Sequence, residues 1–273
     1  MRVIERDDDD YPAALEALEA PPPRLFVRGP LDLDRPRVAV VGTRRPSARG
    51  RRLATQLGRG LAEAGVVVVS GGALGVDGAA HRGALDAGGL TWVVLPSPIA
   101  RPVPATHRRL FEEVLEGGGA WLSELEEETG KQAFYMRNRV VAALGAALVV
   151  VEAQEASGTA HSVAFARELG RPVAVYPWAV GDPSGAGCLR WLKEGAHLVT
   201  GPEDVLELIG HRPAPSPPGS PSALVAALGA GRTAEEAAAL VGLEVHEVLS
   251  ELTRLELEGR VCALPGGRFA AER

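Results

Sequence analysis

The chain has 273 residues, 46% of them hydrophobic, so it is long and apolar enough to bury a sizeable core. Its 29 basic and 35 acidic residues give a net charge of -6, which argues against a surface coated with nucleic acid but allows a local basic groove. No uncharged apolar run reaches the ~18 residues of a membrane-spanning helix, and the first residues lack an apolar signal segment. We therefore expect a cytoplasmic protein with no membrane partner.

A lead-in of residues 1–36 predicts one brief helix near 12–19, followed by the extended segment RLFVRG. From residue 37 strands and helices alternate, and the valine runs are continuous, which indicates strands covered on both faces. This pattern predicts an α/β fold, a Rossmann-like, doubly wound and mainly parallel sheet over residues 37–209. Strands are predicted at 37–41, 66–69, 91–95, 120–122, 147–152, 173–176 and 197–199, and helices at 47–64, 77–87, 106–117, 136–145, 159–169, 187–194 and 202–209.

The last quarter of the chain predicts a separate small domain. Residues 210–221, GHRPAPSPPGSP, form a proline-rich linker. Residues 222–273 predict three short helices and a β-hairpin that turns at Gly266 and Gly267, the order of a winged helix-turn-helix. This domain has five arginines and eight glutamates, and its candidate recognition helix is acidic. Because phosphates repel such a helix, we predict a protein-contact or auxiliary role rather than sequence reading.

The turn after the first strand of the parallel sheet, VVGTRRPS, combines a glycine with two arginines. Gly42, Thr43, Arg44 and Arg45 precede a helix that Ser47 can cap. A helix start offers unpaired N–H groups and the positive end of its dipole. We expect a phosphate group to bind near Ser47, with Arg44 reaching it. The alternative is a tight turn with solvated arginines.

The second strand ends in the glycine-rich loop SGGALGVDGAAH. Asp77 can cap the next helix, and His81 lies one turn further, so the two could form an acid–base pair. No nucleophile lies nearby in sequence, so we predict that Asp77 and His81 support the loop. The small residues of the loop allow close approach of a DNA strand: they are Ser70, Gly71, Gly72 and Gly75.

The segment FYMRNR combines two aromatic residues with two arginines at the start of a helix. Aromatic rings can stack on bases while arginines bind phosphates. The alternative is that the aromatic residues belong to the core and the arginines to the surface. The DNA-contacting residues predicted here are Phe134, Tyr135, Arg137, Asn138 and Arg139.

A fourth motif follows the strand ALVVVE. Ser157, Gly158 and Thr159 stand at another helix N-terminus, which is either a further anion site or a simple cap. Four motifs of this kind in one doubly wound sheet give a row of phosphate-sized sites along one edge. One nucleotide needs one such site, so a row of them predicts a nucleic acid strand as the ligand.

The four motifs, at 41–44, 70–85, 134–139 and 157–171, resemble those of the DprA/Smf family of DNA-processing proteins. The lead-in and the C-terminal segment resemble this family as well. The resemblance implies a cytoplasmic protein that binds single-stranded DNA, forms a homodimer and loads RecA recombinase on DNA taken up in natural transformation. It implies no catalytic activity, and we predict neither a cofactor nor a metal.

The chain departs from the family pattern at Val103, His107 and Trp178, where the family more often has tyrosine, asparagine and glycine. For the homodimer we expect a face near 159–195. The apolar side chains available there are Phe165, Trp178, Leu189 and Trp191.

Two other functions stay open. The first is a nucleotide-phosphate glycosidase like the LOG family, whose sheet is similar but whose pattern carries PGGxGT and a glutamate on the next helix. Here the corresponding helix, AHSVAFARELG, has no acidic residue before Glu168. The second is a winged-helix transcription regulator.

Overall fold

The fold is described by a computed structural model that covers residues 1–127, 130, 132–212, 221–229, 231–257 and 259–271. The chain forms two compact units, Met1–Arg212 and Pro213–Arg273. Within the described residues, the larger unit is built on a nine-stranded sheet and the smaller one on a three-stranded sheet.

The large sheet is mainly parallel. Its strands are β1 (Arg2–Glu5), β2 (Arg24–Arg28), β3 (Arg37–Val41), β4 (Val67–Ser70), β5 (Thr91–Val94), β6 (Ala120–Ser123), β7 (Ala147–Val150), β8 (Val173–Val175) and β9 (His197–Leu198). They lie in the order β1-β2-β6-β5-β4-β3-β7-β8-β9, and β3 to β9 run parallel to one another. The chain builds outward in opposite directions from β3, so the point between β3 and β7 is where such folds bind ligands.

The predicted fold class is confirmed. Every residue of β4, β5, β6 and β7 is buried, as the continuous valine runs indicated. The covering helices are α1 (Ala48–Glu63), α2 (Val76–Asp86), α3 (Arg108–Glu116), α4 (Gln132–Leu144), α5 (Thr159–Glu168), α6 (Ala186–Lys193) and α7 (Pro202–Leu208). Helix α4 starts earlier than the predicted residue 136, so Phe134 and Tyr135 lie on the helix and not before it.

The lead-in belongs to the sheet, which the sequence analysis did not foresee. Strands β1 and β2 pair antiparallel, and β2 pairs antiparallel with β6. The predicted brief helix is a 3-10 turn at Ala13–Ala17, and its Leu15 is fully buried. One of the two partners of β2 is β6, about a hundred residues away in sequence, and local pattern carries no information about such a pairing.

The smaller unit has α8 (Pro221–Leu228), β10 (Arg232–Thr233), α9 (Ala234–Val241), α10 (Val245–Leu257), β11 (Val261–Leu264) and β12 (Arg268–Ala271). The winged-helix prediction is confirmed in the order of these elements. Thr233 and Glu236 form a capping box at the start of α9. Gly266 and Gly267, which join β11 to β12, both have positive φ and suit the hairpin turn.

The aromatic side chains expected at a dimer face lie mostly inside the larger unit. Trp178 and Trp191 are 6% and 2% exposed and belong to its hydrophobic core, and the indole of Trp178 donates to the carbonyl of Val151 at 2.9 Å. Half-buried Phe165 and Leu189 pack against the same core. Trp178 and Trp191 are therefore not available to an intermolecular face, while the expected dimer face near 159–195 stays a prediction. Among the described residues, no helix is long and apolar enough to cross a membrane.

Candidate nucleic-acid interface

A cavity of about 450 Å³ opens at the carboxyl ends of β3 and β7. The turn after β3, the first turns of α4 and the segment from β7 into α5 all contribute to its wall. Three of the four sequence motifs therefore meet in one place, and the glycine loop adds Ala73 and Asp77. The residues predicted to bind DNA that line the cavity are Gly42, Thr43, Arg44, Phe134, Tyr135, Arg137, Asn138, Ser157, Gly158 and Thr159.

Arg44 is an exposed cation in this wall. Its guanidinium carbon lies 5.1 Å from the centre of the Phe134 ring, a cation–π geometry. No described carboxylate lies within ion-pair distance of Arg44, so its charge is available to an anion. Tyr135, on the same helix, is 43% exposed and packs edge-on against His161 with ring centroids 4.8 Å apart. The wall thus combines a free guanidinium with an exposed aromatic face.

The start of α5 forms the opposite wall. Gly158 is the N-cap residue, and the Ser157 hydroxyl accepts the Thr159 N–H at 3.1 Å. The N–H groups of Ala160 and His161 bond to carbonyls of the same turn. The hydroxyl of Ser157 keeps its own proton for another acceptor. A Cβ on Gly158 would meet nothing within 4 Å, so this side of the turn is open.

Arg137 lines the cavity but is only 5% exposed, and it is bonded to the protein. Its guanidinium donates to the carbonyls of Gly71 and Val94, the latter at 2.8 Å. Burial lowers the pKa of Arg137 to about 10, and the Asp77 carboxylate opposes this shift, so the side chain stays cationic at neutral pH. The sequence predicts that Arg137 binds a DNA phosphate, with a surface arginine as the alternative; in the structure Arg137 is instead a buried charge that holds the glycine loop.

The glycine loop contributes Ala73 and Asp77 to the cavity, but the loop residues that were predicted to bind DNA contact protein instead. The hydroxyl of Ser70, fully buried, donates to the Val40 carbonyl at 2.6 Å. Side chains at the glycines would collide with Arg137 at Gly71, with Val93 and Phe111 at Gly72, and with the backbone of Thr43 and Arg44 at Gly75. The expected close approach of DNA is thus replaced by close approach of the protein itself. The loop residues outside the cavity lining are Ser70, Gly71, Gly72 and Gly75.

Asp77 supports this loop, as the sequence suggested. Its carboxylate is 5% exposed and accepts the Ala73 N–H at 3.2 Å. Burial raises the pKa of Asp77, while the charge of Arg137 acts in the opposite direction. The expected neighbour of Asp77 was His81, but the Nδ1 of His81 bonds instead to the Thr91 hydroxyl at 2.7 Å. His81 therefore supports the β4–β5 pair rather than the loop.

The protonation state of His81 follows from its partner. The Thr91 hydroxyl donates to the Val68 carbonyl, so it accepts a hydrogen bond from His81 Nδ1–H. The Nε2 atom is buried and has no hydrogen-bond partner among the described residues. Burial lowers the pKa of His81 from 6.5 to about 3, so the folded protein holds a neutral imidazole.

We expect His81 to make folding sensitive to acid. Below its ordinary pKa of 6.5 the unfolded chain binds a proton that the folded chain excludes until about pH 3. The free energy of unfolding should then fall by up to about 1.4 kcal/mol per pH unit. Urea unfolding at about pH 7 and about pH 5 measures this loss of stability. The loss should be smaller in His81→Gln, and replacement of the exposed His197 serves as the control that should leave it unchanged. An unchanged pH slope in His81→Gln would contradict it.

Arg139 faces away from the cavity. It is 9% exposed, forms an ion pair with Glu124 and donates to the carbonyl of Ala20 in the lead-in at 2.7 Å. The expectation that Arg137 and Arg139 lie along the same edge was therefore wrong, because positions two apart on a helix point in nearly opposite directions. Arg45 is exposed and lies outside the cavity lining, with its N–H bonded to the Thr43 hydroxyl at 3.2 Å.

The start of α1 is occupied by the protein's own carboxylate. Ser47 is the N-cap, as predicted, and accepts the Gly50 N–H at 3.0 Å. Its own N–H and hydroxyl donate to the buried carboxylate of Glu152. The phosphate expected near Ser47 has no room there, since Glu152 already supplies the anion.

Comparison with known proteins identifies the family. A family model described as DNA recombination-mediator protein A matches residues 2–210, and a model of the DprA winged helix domain matches residues 210–267. The chain belongs to the DprA family. The resemblance found in the four motifs is thereby confirmed, and the family is one of DNA-processing proteins.

Several DprA relatives are similar over most of the chain. Protein Smf of Escherichia coli is 36% identical over 99% of this chain and 78% of its own length. The DNA processing protein DprA of Streptococcus pneumoniae is 38% identical over 73% of this chain and 71% of its own length. A DprA relative from Mycobacterium tuberculosis is 43% identical over 77% of this chain, and the match spans only 58% of that relative's length.

Two solved DprA structures share this fold. The DprA of Streptococcus pneumoniae superposes with a TM-score of 0.71, at 37% identity, over 76% of this chain and 73% of its own. The DprA of Helicobacter pylori superposes with a TM-score of 0.68, at 30% identity, over 76% of this chain and 94% of its own. The latter is described by its single-stranded DNA binding mode.

Several residues in and around this candidate site were not predicted from the sequence to act there. His161 and Gln154 line the cavity. The sequence signal that could have found His161 is its place in the first turn of the helix predicted at 159–169. His107, one of the departures from the family pattern, donates from Nδ1 to the Gly72 carbonyl at 3.0 Å and packs over Gly78. Glu152 gave no local signal, because its partner Ser47 lies more than a hundred residues earlier.

Proposed function

We propose that this chain binds single-stranded DNA in the cavity between the turn after β3 and the start of α5. One observation supports this proposal most. Arg44, exposed and without a described ion-pair partner, lies over the Phe134 ring beside the exposed Tyr135. A guanidinium beside aromatic rings can bind a phosphate while a neighbouring base stacks. The bases of a duplex are already stacked inside it, so such a site favours a single strand.

The contacts we propose follow the lining of the cavity. Arg44 binds a phosphate, Tyr135 offers the stacking face, and the Ser157 hydroxyl donates to an oxygen of the strand. Arg45, exposed beside this lining, adds charge at its edge. The remaining proposed contacts are Gly42, Thr43, Phe134, Asn138, Gly158 and Thr159.

We also propose that binding involves no chemical step. A glycosidase would need a carboxylate beside the sugar, and Asp77, the acidic residue in the described cavity lining, is engaged with the Ala73 N–H and the charge of Arg137. Family membership and the solved relative described by its single-strand binding mode support the same view. In this proposal the chain acts in the cytoplasm, forms a homodimer and loads RecA on DNA during natural transformation.

A gel-shift comparison tests the proposal. The chain should bind an oligothymidine strand at least about tenfold more tightly than a duplex of the same length, an advantage of about 1.4 kcal/mol that one stacked base can supply. Incubation with nucleoside monophosphates in parallel should release no free base. Equal affinity for the duplex would count against the single-strand site, and base release would favour the glycosidase.

A further inference from the structure

One residue outside the cavity holds both ends of the turn that carries Arg44. Glu152 follows β7, is 1% exposed and is absent from the cavity lining. Its backbone carbonyl accepts the Thr43 N–H at 2.8 Å. Its carboxylate accepts the Ser47 N–H at 3.0 and 3.1 Å and the Ser47 hydroxyl at 2.8 Å. Arg44 lies between these two anchors.

The Glu152 carboxylate packs closely against the first turn of α1. A Cβ on Gly50, in the first turn of α1, would collide with Oε2 of Glu152. The carboxylate therefore sits against the backbone of the helix start, where the dipole of α1 favours a negative charge. A buried carboxylate with several donors is costly to move, because the carboxylate would lose its hydrogen bonds while it stays shielded from water.

We infer that Glu152 is a positioning residue for single-strand binding. It fixes the turn from Thr43 to Ser47 so that the Arg44 guanidinium lies over Phe134, facing the cavity. It also fills the anion position at the start of α1, so the phosphate binds on the cavity side of Arg44. This inference rests on the proposed function, since it concerns the orientation of the proposed phosphate contact.

The direction in which Glu152→Gln changes the affinity for DNA distinguishes a positioning role from a purely electrostatic or purely structural one. If the carboxylate acted on DNA only through its charge, Glu152→Gln would remove a repulsion and tighten binding. If it served folding alone, Glu152→Gln would lower stability and leave the affinity of the folded protein unchanged. A positioning role predicts weaker binding, because glutamine has one acceptor oxygen in place of two and holds Ser47 less firmly.

The experiment is a double-mutant cycle on the full chain with oligothymidine as the probe. Glu152→Gln should weaken binding about fivefold, and in an Arg44→Ala background it should change affinity by less than about twofold, because its effect passes through Arg44. Thr91→Val is the matched control: it removes a buried hydroxyl at the opposite end of the sheet, between His81 and Val68, and should destabilise the protein without weakening binding.

Each possible outcome of this experiment either supports or overturns the inference. Unchanged or tighter binding by folded Glu152→Gln overturns the inference, as does an equal loss in both backgrounds. If Glu152→Gln does not fold, Ser47→Ala takes its place in the same cycle, since it removes the hydroxyl bond to Glu152. If Arg44→Ala itself binds like the wild type, the proposed site is at fault; if only the Glu152 effect is missing, the site stands and the inference fails.

Discussion

Arg44→Ala is expected to weaken binding of single-stranded DNA by about 1–3 kcal/mol, which is roughly 5- to 150-fold. The loss follows from removing an exposed guanidinium that no described carboxylate neutralises and that the Phe134 ring holds at the cavity. The dependence of log affinity on log salt should also become shallower by about 0.7, the contribution of one phosphate contact on a single strand. Fluorescence anisotropy with an oligothymidine strand at several salt concentrations measures both changes.

The matched control is Arg52→Ala. Arg52 is also exposed, but it lies on α1 beyond the helix start, on an element that does not line the cavity. Its removal takes away the same net charge, so a difference between the two variants reports position rather than total charge. Should Arg52→Ala lose more affinity than Arg44→Ala, the binding surface lies elsewhere and the turn after β3 has only a structural role.

Arg137→Met is expected to lower the free energy of unfolding by about 3 kcal/mol. The change leaves Asp77 buried without its opposing charge and removes the donor to the carbonyls of Gly71 and Val94. Protonation of Asp77, whose pKa burial already raises, relieves part of this cost. Urea unfolding of the full chain, followed by the transition of the larger unit, measures the effect.

Two further variants interpret that result. Arg44→Met removes an exposed arginine from the same cavity and should change stability by no more than about 0.5 kcal/mol. Asp77→Asn combined with Arg137→Met should cost less than the sum of the two single changes, because an uncompensated charge is no longer left behind. If Arg137→Met kept full stability but lost DNA affinity as Arg44→Ala does, Arg137 would be a contact residue.

Most of the fold of the larger unit could be predicted from the sequence. Valine runs such as those of β4 and β7 have no polar face to expose, so they indicate central strands of a parallel sheet without knowledge of their partners. The lead-in could not be placed, because its strand β2 is defined by pairing with the distant β6. Helix boundaries shifted where aromatic residues such as Phe134 could stand either before a helix or within it.

The site was predicted in its location but less well in its chemistry. The motifs at Gly42, Phe134 and Ser157 were correctly expected at one sheet edge, because parallel strands place their carboxyl ends together. The roles of Arg137 and Glu152 depend on what surrounds them in space. The sequence alone does not distinguish a buried arginine from an exposed one. The spacing of Arg137 and Arg139 did hold a usable signal, since residues two apart on a helix do not share a face.

Arg137 and Arg139 point in opposite directions, and both bond to the protein itself. The residues that folding requires are therefore distinct from the rim residues proposed to contact DNA, so the two sets can change independently. Arg137 bonds α4 to the glycine loop and Arg139 bonds it to the lead-in. Folding therefore constrains both arginines, independently of the DNA that the protein binds. Tyr135 and His161 are exposed at the rim of the cavity, where their rings contact each other. If the proposed function holds, we expect substitutions at this rim to change base preference at a smaller cost in stability than substitutions of Arg137 or Arg139.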